Sequence, residues 1–126
     1  MLGSGFIGRF YTDSLHGYRN KDRVVSIYSR REESAKKFAE DYDVPHWTTD
    51  MEESISRPEV DVVCISLPNN LHEEAVHLCC KHNKAVICTK PLGRTAEEAK
   101  RMVEAVEKAG IFAGYLEDLC LSLIHI

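Results

Sequence analysis

Residues 1–10 read MLGSGFIGRF, and Gly3, Gly5 and Gly8 inside them fall on the spacing G-x-G-x-x-G. That spacing marks a phosphate-binding turn between a first strand and the helix that follows it. The first glycine permits the tight turn, the second lets backbone approach a pyrophosphate, and the third lets helix pack on strand. The helix start, here Phe6 and Ile7, then offers free N–H groups and its dipole to the anion. A glycine turn without a ligand is the plain alternative. Only Met1 and Leu2 precede the turn, so the strand it should leave is mostly missing.

The rest of the chain supplies the context that such a turn needs. Apolar residues at helical spacing (Ala35, Phe38, Ala39, Tyr42; Leu71, Ala75, Leu78, Cys79; Ala99, Met102, Val103, Val106) alternate with short β-branched runs. Those runs are RVVSIYS from Arg23, VDVVCISLP from Val60 and KAVICTK from Lys84, and they suit strands buried on both faces. The pattern predicts a helix from about residue 6, strand 24–29, helix 32–42 and a short strand near His46. A short helix 50–55, strand 60–66, helix 70–82, strand 85–89, helix 96–109 and strand 111–115 complete the series. Thr49 with Glu52 and Thr95 with Glu98 read as capping boxes, Asn70 as a further cap, and Gly110 as a helix stop. The alternation predicts an α/β domain over residues 1–120: a doubly wound parallel sheet whose first strand is mostly missing.

Composition narrows the partners. A chain of 126 residues, 44% apolar and 29% charged, is that of one soluble domain. A net charge of −4 offers no basic footprint for nucleic acid or an anionic membrane. No apolar run approaches the length of a membrane span. Five cysteines (Cys64, Cys79, Cys80, Cys88, Cys120), odd in number and without a C-x-x-C pair, predict a reduced, cytoplasmic protein without a disulfide framework.

The end of the second strand chooses the cofactor in such folds, because an acidic residue there binds the ribose hydroxyls of NAD. Here Ser29, Arg30 and Arg31 occupy it. A hydroxyl and two guanidinium forks suit a 2′-phosphate, which favours NADP over NAD; a solvated arginine pair is the ordinary alternative. Two more stretches fall past strand ends, SLPNNLHEE from Ser66 and CTKPLGRT from Cys88. A zinc-binding H-E-x-x-H would need histidine at Val76; His72 and His77 lie on different helix faces, so no metal is expected. His72 reads either as a capping or surface residue or as a crevice contact. Lys90, held between a strand and Pro91, is placed to exchange the proton that accompanies hydride transfer, if its pKa is lowered. A surface lysine at a strand end is the alternative.

Together GSGFIGRF, YSRREESAKKFAEDYDVP, PEVDVVCISLPNNLHEEAV and KPLGRTAEEAKRMVEAVEKAG resemble the glucose–fructose oxidoreductase/inositol dehydrogenase/MocA family, from Gly3 to about Cys120. The resemblance covers only that family's cofactor-binding half. It implies an oxidoreductase that moves a hydride between a nicotinamide cofactor and a carbon of a sugar, cyclitol or related polyol. The family's E-K-P falls on Thr89-Lys90-Pro91, which implies that Lys90 lies near nicotinamide and substrate. Its P-N-x-x-H falls on Pro68-Asn69-Asn70-Leu71-His72, which with Leu67 would line the cofactor crevice. Thr89 departs from the usual glutamate and leaves the tuning of Lys90 open, so a non-catalytic dinucleotide sensor stays as the alternative. The resemblance further implies a homo-oligomeric parent whose second catalytic residue belongs to a substrate domain. Residues 121–126, LSLIHI, match the translation of a transposase sequencing adapter, and the expectation is an artefactual tail on a gene fragment. In such a fragment the strands beside the shortened first strand are expected to be left unpaired.

Overall fold

The structure, a computed structural model, describes residues 1–17 and 21–117; Cys120 and the 121–126 tail lie outside the described residues. Eleven elements follow in order: α1 (Phe6–Gly17), β1 (Ser26–Tyr28), α2 (Glu32–Tyr42), β2 (His46–Thr48), α3 (Met51–Ser56), β3 (Val62–Ile65), a 3-10 turn (Asn69–Leu71), α4 (His72–Lys81), β4 (Ala85–Thr89), α5 (Ala96–Ala109) and β5 (Ala113–Leu116). All strand pairs are parallel, β1 with β2, and β3 with β4 with β5. Leu2 forms single parallel bridges to Tyr28 and to Ile65, which joins the two sets into the order β2-β1-Leu2-β3-β4-β5. The connections therefore reverse direction at Leu2, the place where a doubly wound sheet opens a crevice.

The shortened first strand does more than its length suggests. Leu2 N–H donates to the Cys64 carbonyl at 2.9 Å, and Ser66 N–H donates to the Leu2 carbonyl at 2.9 Å. On the other side Tyr28 N–H donates to the Met1 carbonyl at 3.0 Å, and Gly3 N–H to the Tyr28 carbonyl at 2.9 Å. Over these residues the expectation of unpaired neighbours is corrected: three residues pair both flanking strands.

Alternation along the strands sends side chains to two cores. Leu2, Val63, Ile65, Val86 and Cys88 meet Met51 and Ile55 of α3, Ala75, Val76 and Cys79 of α4, and Met102 of α5. Met1, Val24 and Ile27 meet Phe38 and Ala39 of α2, with Tyr11 and Leu15 of α1 packed against them. Helices thus cover both faces, as near-continuous apolar strands require. Thr95 caps α5 as expected, accepting from Glu98 N–H at 3.2 Å, and Gly110 closes that helix in the left-handed conformation at φ 67°. Two caps differ. Asp50, not Thr49, caps α3 by accepting from Glu53 N–H at 3.0 Å. Asn70 belongs to the 3-10 turn, and α4 starts at His72 without a side-chain cap.

The Met1 amino group is buried and donates to the Ser26 carbonyl at 2.7 Å. Burial lowers its pKa from 8.0 to about 6. In a polypeptide that begins at Met1, the unfolded chain therefore binds more protons than the folded one between those values. Stability should rise from about pH 6 to pH 8, by on the order of 2 kcal/mol. Urea unfolding across that range, compared with a chain carrying one added N-terminal residue, checks it. The extension replaces the amine by an amide, and this part of the slope should vanish.

Candidate functional site

The three glycines of the turn meet three different constraints. Gly3 has φ +106°, and a Cβ there would lie 2.5 Å from the Ser66 carbonyl oxygen. A Cβ on Gly8 would lie 2.1 Å from the Gly3 carbonyl oxygen, so only glycine lets α1 start this close to the first strand. A Cβ on Gly5 would have no atom within 4 Å. Gly5 instead faces a cleft of about 560 Å³. The first α1 bond runs from Arg9 N–H to the Gly5 carbonyl at 3.1 Å, so the N–H groups of Phe6, Ile7 and Gly8 precede the helical ladder. Together, free donors, the helix dipole and open space fit the pyrophosphate of a dinucleotide.

The cleft gathers nine of the expected residues: Gly3, Gly5, Phe6 and Ile7 from the turn, Ser29, Arg30 and Arg31 after β1, and Leu67 and Pro68 after β3. Gly8 lies beneath it as a packing residue, and Asn69 is exposed beside it in the 3-10 turn. Ser4, Arg9, Tyr28, Ser34, Lys37, Ser66 and Leu71 also line it. The readable signal for Arg9, Ser34 and Lys37 was helical spacing counted one or two turns in from Gly5 and Arg31. Ser4 Oγ donates to Ser29 Oγ at 2.9 Å and ties the glycine turn to the end of β1.

Among the described residues no carboxylate lines this cleft. Arg9 and Lys37 both reach Asp41, at 2.8 and 3.2 Å, and their hydrogen bonds hold that carboxylate below its usual pKa. Glu32 is taken by Lys36 at 2.6 Å. The side chains of Arg30 and Arg31 are exposed and have no hydrogen-bond or ion-pair partner among the described residues.

Behind the cleft, His72 departs from the surface reading: it is fully buried, its backbone N–H closes the 3-10 turn on the Asn69 carbonyl, and it is not among the residues that line the cleft. Nε2 lies 3.0 Å from the Leu67 carbonyl oxygen and Nδ1 2.9 Å from the Pro91 carbonyl oxygen. Cys88 Sγ is 3.4 Å from Nδ1, and burial raises that thiol to about 12, so it remains a donor. His77, by contrast, is half exposed beside Glu73. Lys90 follows β4, exposed, with a cis peptide to Pro91 and no side-chain partner among the described residues. Neither Lys90 nor Pro91 lines the cleft itself. Thr89 is buried, and its hydroxyl donates to the Ile65 carbonyl at 2.9 Å. No helix among the described residues is long and apolar enough to cross a membrane.

Comparison with known proteins agrees with this geometry. The Gfo/Idh/MocA model, described as an oxidoreductase family with an NAD-binding Rossmann fold, matches residues 1–115. Bovine (Bos taurus) trans-1,2-dihydrobenzene-1,2-diol dehydrogenase is 34% identical over 113 residues, which are 89% of this chain and 34% of that protein. The 1,5-anhydro-D-fructose reductase of Ensifer adhaerens is 36% identical over 102 residues, 81% of this chain and 31% of that protein. A levoglucosan dehydrogenase solved with NADH and levoglucosan superposes with a TM-score of 0.80 at 30% identity, over 89% of this chain and 33% of that one. The chain thus spans about a third of the length of these relatives.

Two substitutions separate the roles of the glycines. Gly5→Ala should melt like the unmodified protein yet bind a nicotinamide dinucleotide about tenfold more weakly, ~1.4 kcal/mol. Gly8→Ala should lose about 3 kcal/mol of stability, because its methyl meets backbone that cannot step aside. Thermal melting and cofactor titration by fluorescence read both effects.

Proposed function

Because the chain belongs to the glucose–fructose oxidoreductase/inositol dehydrogenase/MocA family of oxidoreductases, with its NAD-binding Rossmann fold, we propose that it is the dinucleotide-binding part of an NADP-preferring dehydrogenase acting on a sugar, cyclitol or related polyol. The observation that carries the cofactor reading is the cleft that no carboxylate lines, with Arg30 and Arg31 unpaired where β1 ends. An NAD site would place an acid there for the ribose hydroxyls. The guanidinium groups, with the Ser29 hydroxyl, instead supply donors and charge for a 2′-phosphate.

When bound, a nicotinamide supplies or accepts the hydride. The chain's own residues do the rest. Gly5 leaves room for the pyrophosphate, and the N–H groups at the start of α1 bind it. Leu67 and Pro68 supply an apolar side to the cleft. Lys90, at the exit of the neighbouring strand, takes the proton from the substrate hydroxyl as the carbon is oxidised and returns it in the reverse direction. The similarity to proteins named for a diol, an anhydro sugar and levoglucosan supports a hydroxylated small molecule as substrate class. The Lys90 side chain, which no acidic side chain orients among the described residues, favours one second reading: a dinucleotide sensor without turnover.

In the full-length protein, Lys90→Met should lower kcat about 100-fold or more while NADP affinity is kept. No turnover by the unmodified protein across sugars and polyols would favour the sensor. Replacing Arg30 and Arg31 together by Ala should weaken NADP binding at least about tenfold more than NAD binding. Equal weakening in calorimetric titrations sinks the 2′-phosphate assignment.

A further inference from the structure

We propose that Thr89 is a positioning residue for Lys90, and that it acts through a main-chain brace shared with His72 between the two crevice segments. The inference rests on Lys90 as the proton-exchanging group.

The parallel ladder between β3 and β4 has its last register pair at Ile65 and Cys88. Beyond that pair the two chains leave the sheet, one as Ser66-Leu67-Pro68 along the cleft wall, the other as Lys90-Pro91. No backbone hydrogen bond joins these exits among the described residues. Side chains continue the ladder instead. The Thr89 hydroxyl donates to the Ile65 carbonyl at 2.9 Å as the first added rung. The His72 ring forms the second, seated between the Leu67 carbonyl, 3.0 Å from Nε2, and the Pro91 carbonyl, 2.9 Å from Nδ1; a neutral ring donates to one of the two and packs against the other.

Both rungs are dry, with Thr89 at 7% and His72 at 0% exposure. The Ile65–Cys88 register pair turns the Ile65 carbonyl toward the β4 backbone, and the Thr89 hydroxyl adds a side-chain bond to that same oxygen; removing it takes away the side-chain rung and leaves the backbone ladder alone to space the exits. Lys90 is held between them: Thr89 before it is bonded to β3, and Pro91 after it lies against His72. Its backbone is therefore set from both sides without an acidic side chain beside it. A threonine orients the peptide that carries it.

Thr89→Val removes the hydroxyl and keeps the shape; Thr89→Ser keeps the hydroxyl. In the full-length protein, the Val variant should lose about tenfold in kcat, with substrate KM and NADP affinity within about twofold of the unmodified protein. The Ser variant should recover most of that loss. Amide hydrogen exchange at Lys90 should quicken in the Val variant and not in the Ser variant. Unchanged kcat in the Val variant overturns the proposal, as does a loss that Ser fails to recover. If the Val variant does not fold, Thr89→Ala takes its place in the same comparison. If the unmodified protein turns over no substrate, the function proposed above falls, and exchange alone decides the brace. Equal exchange at Lys90 in the two proteins then overturns it.

Discussion

The backbone of Leu2 is the joint on which this structure depends. Its N–H and C=O both pair toward β3, through Cys64 and Ser66, while its neighbours Met1 and Gly3 pair toward β1 through Tyr28. Without these bonds the strands form two separate parallel groups. With them, the chain leaves the sheet at Gly3 between two strands whose connections run in opposite directions. The crevice follows from that divergence, and so does the position of α1, whose N-terminus must open into it. Gly3 and Gly8 are then fixed by steric closeness to Ser66 and to each other, and Gly5 alone is left facing open space.

Charge distributes itself around the crevice by the same economy of position. Four cations line it, and Asp41 engages two of them, Arg9 and Lys37. Those pairs are about a third or more exposed, so they contribute little to stability. They leave Arg30 and Arg31 as the lining cations without an acidic partner among the described residues, the charge on which the proposed NADP preference rests. Had Glu32 turned toward Arg30, that charge would be quenched. It pairs along its own helix with Lys36 instead.

What could be read from the sequence was what short-range chemistry determines. The β-branched runs, the Thr95 cap, the Gly110 stop and the glycine turn each depend on residues within a few positions, and each recurs in the structure. The α3 cap slipped by one because Thr49 and Asp50 each stand three residues before a glutamate, so the pattern was degenerate. The expected strands 24–29 and 60–66 overrun Ser26–Tyr28 and Val62–Ile65 for a related reason, whereas 85–89 matches. Burial continues past the last ladder bond, and composition reports burial rather than pairing. His72 was legible as important and illegible as to its role, since its partners, the Leu67 and Pro91 carbonyls, come from segments that only the fold brings together.

That last case shows how a departure from a family pattern can be structurally coherent. A threonine offers one hydroxyl donor where a carboxylate offers only acceptors when ionised. At the end of β4 the available partner is the Ile65 carbonyl, itself an acceptor, which an ionised carboxylate in the same place could not satisfy. The hydroxyl fits the main chain, and the main chain carries the lysine. His72 and the Cys88 thiol pack behind Thr89, and Lys90 is the sole Lys, Arg, Asp or Glu between Ile87 and Gly93. A lysine held this way takes its orientation from the sheet, and under the proposed function the register of β3 and β4 becomes part of the chemistry.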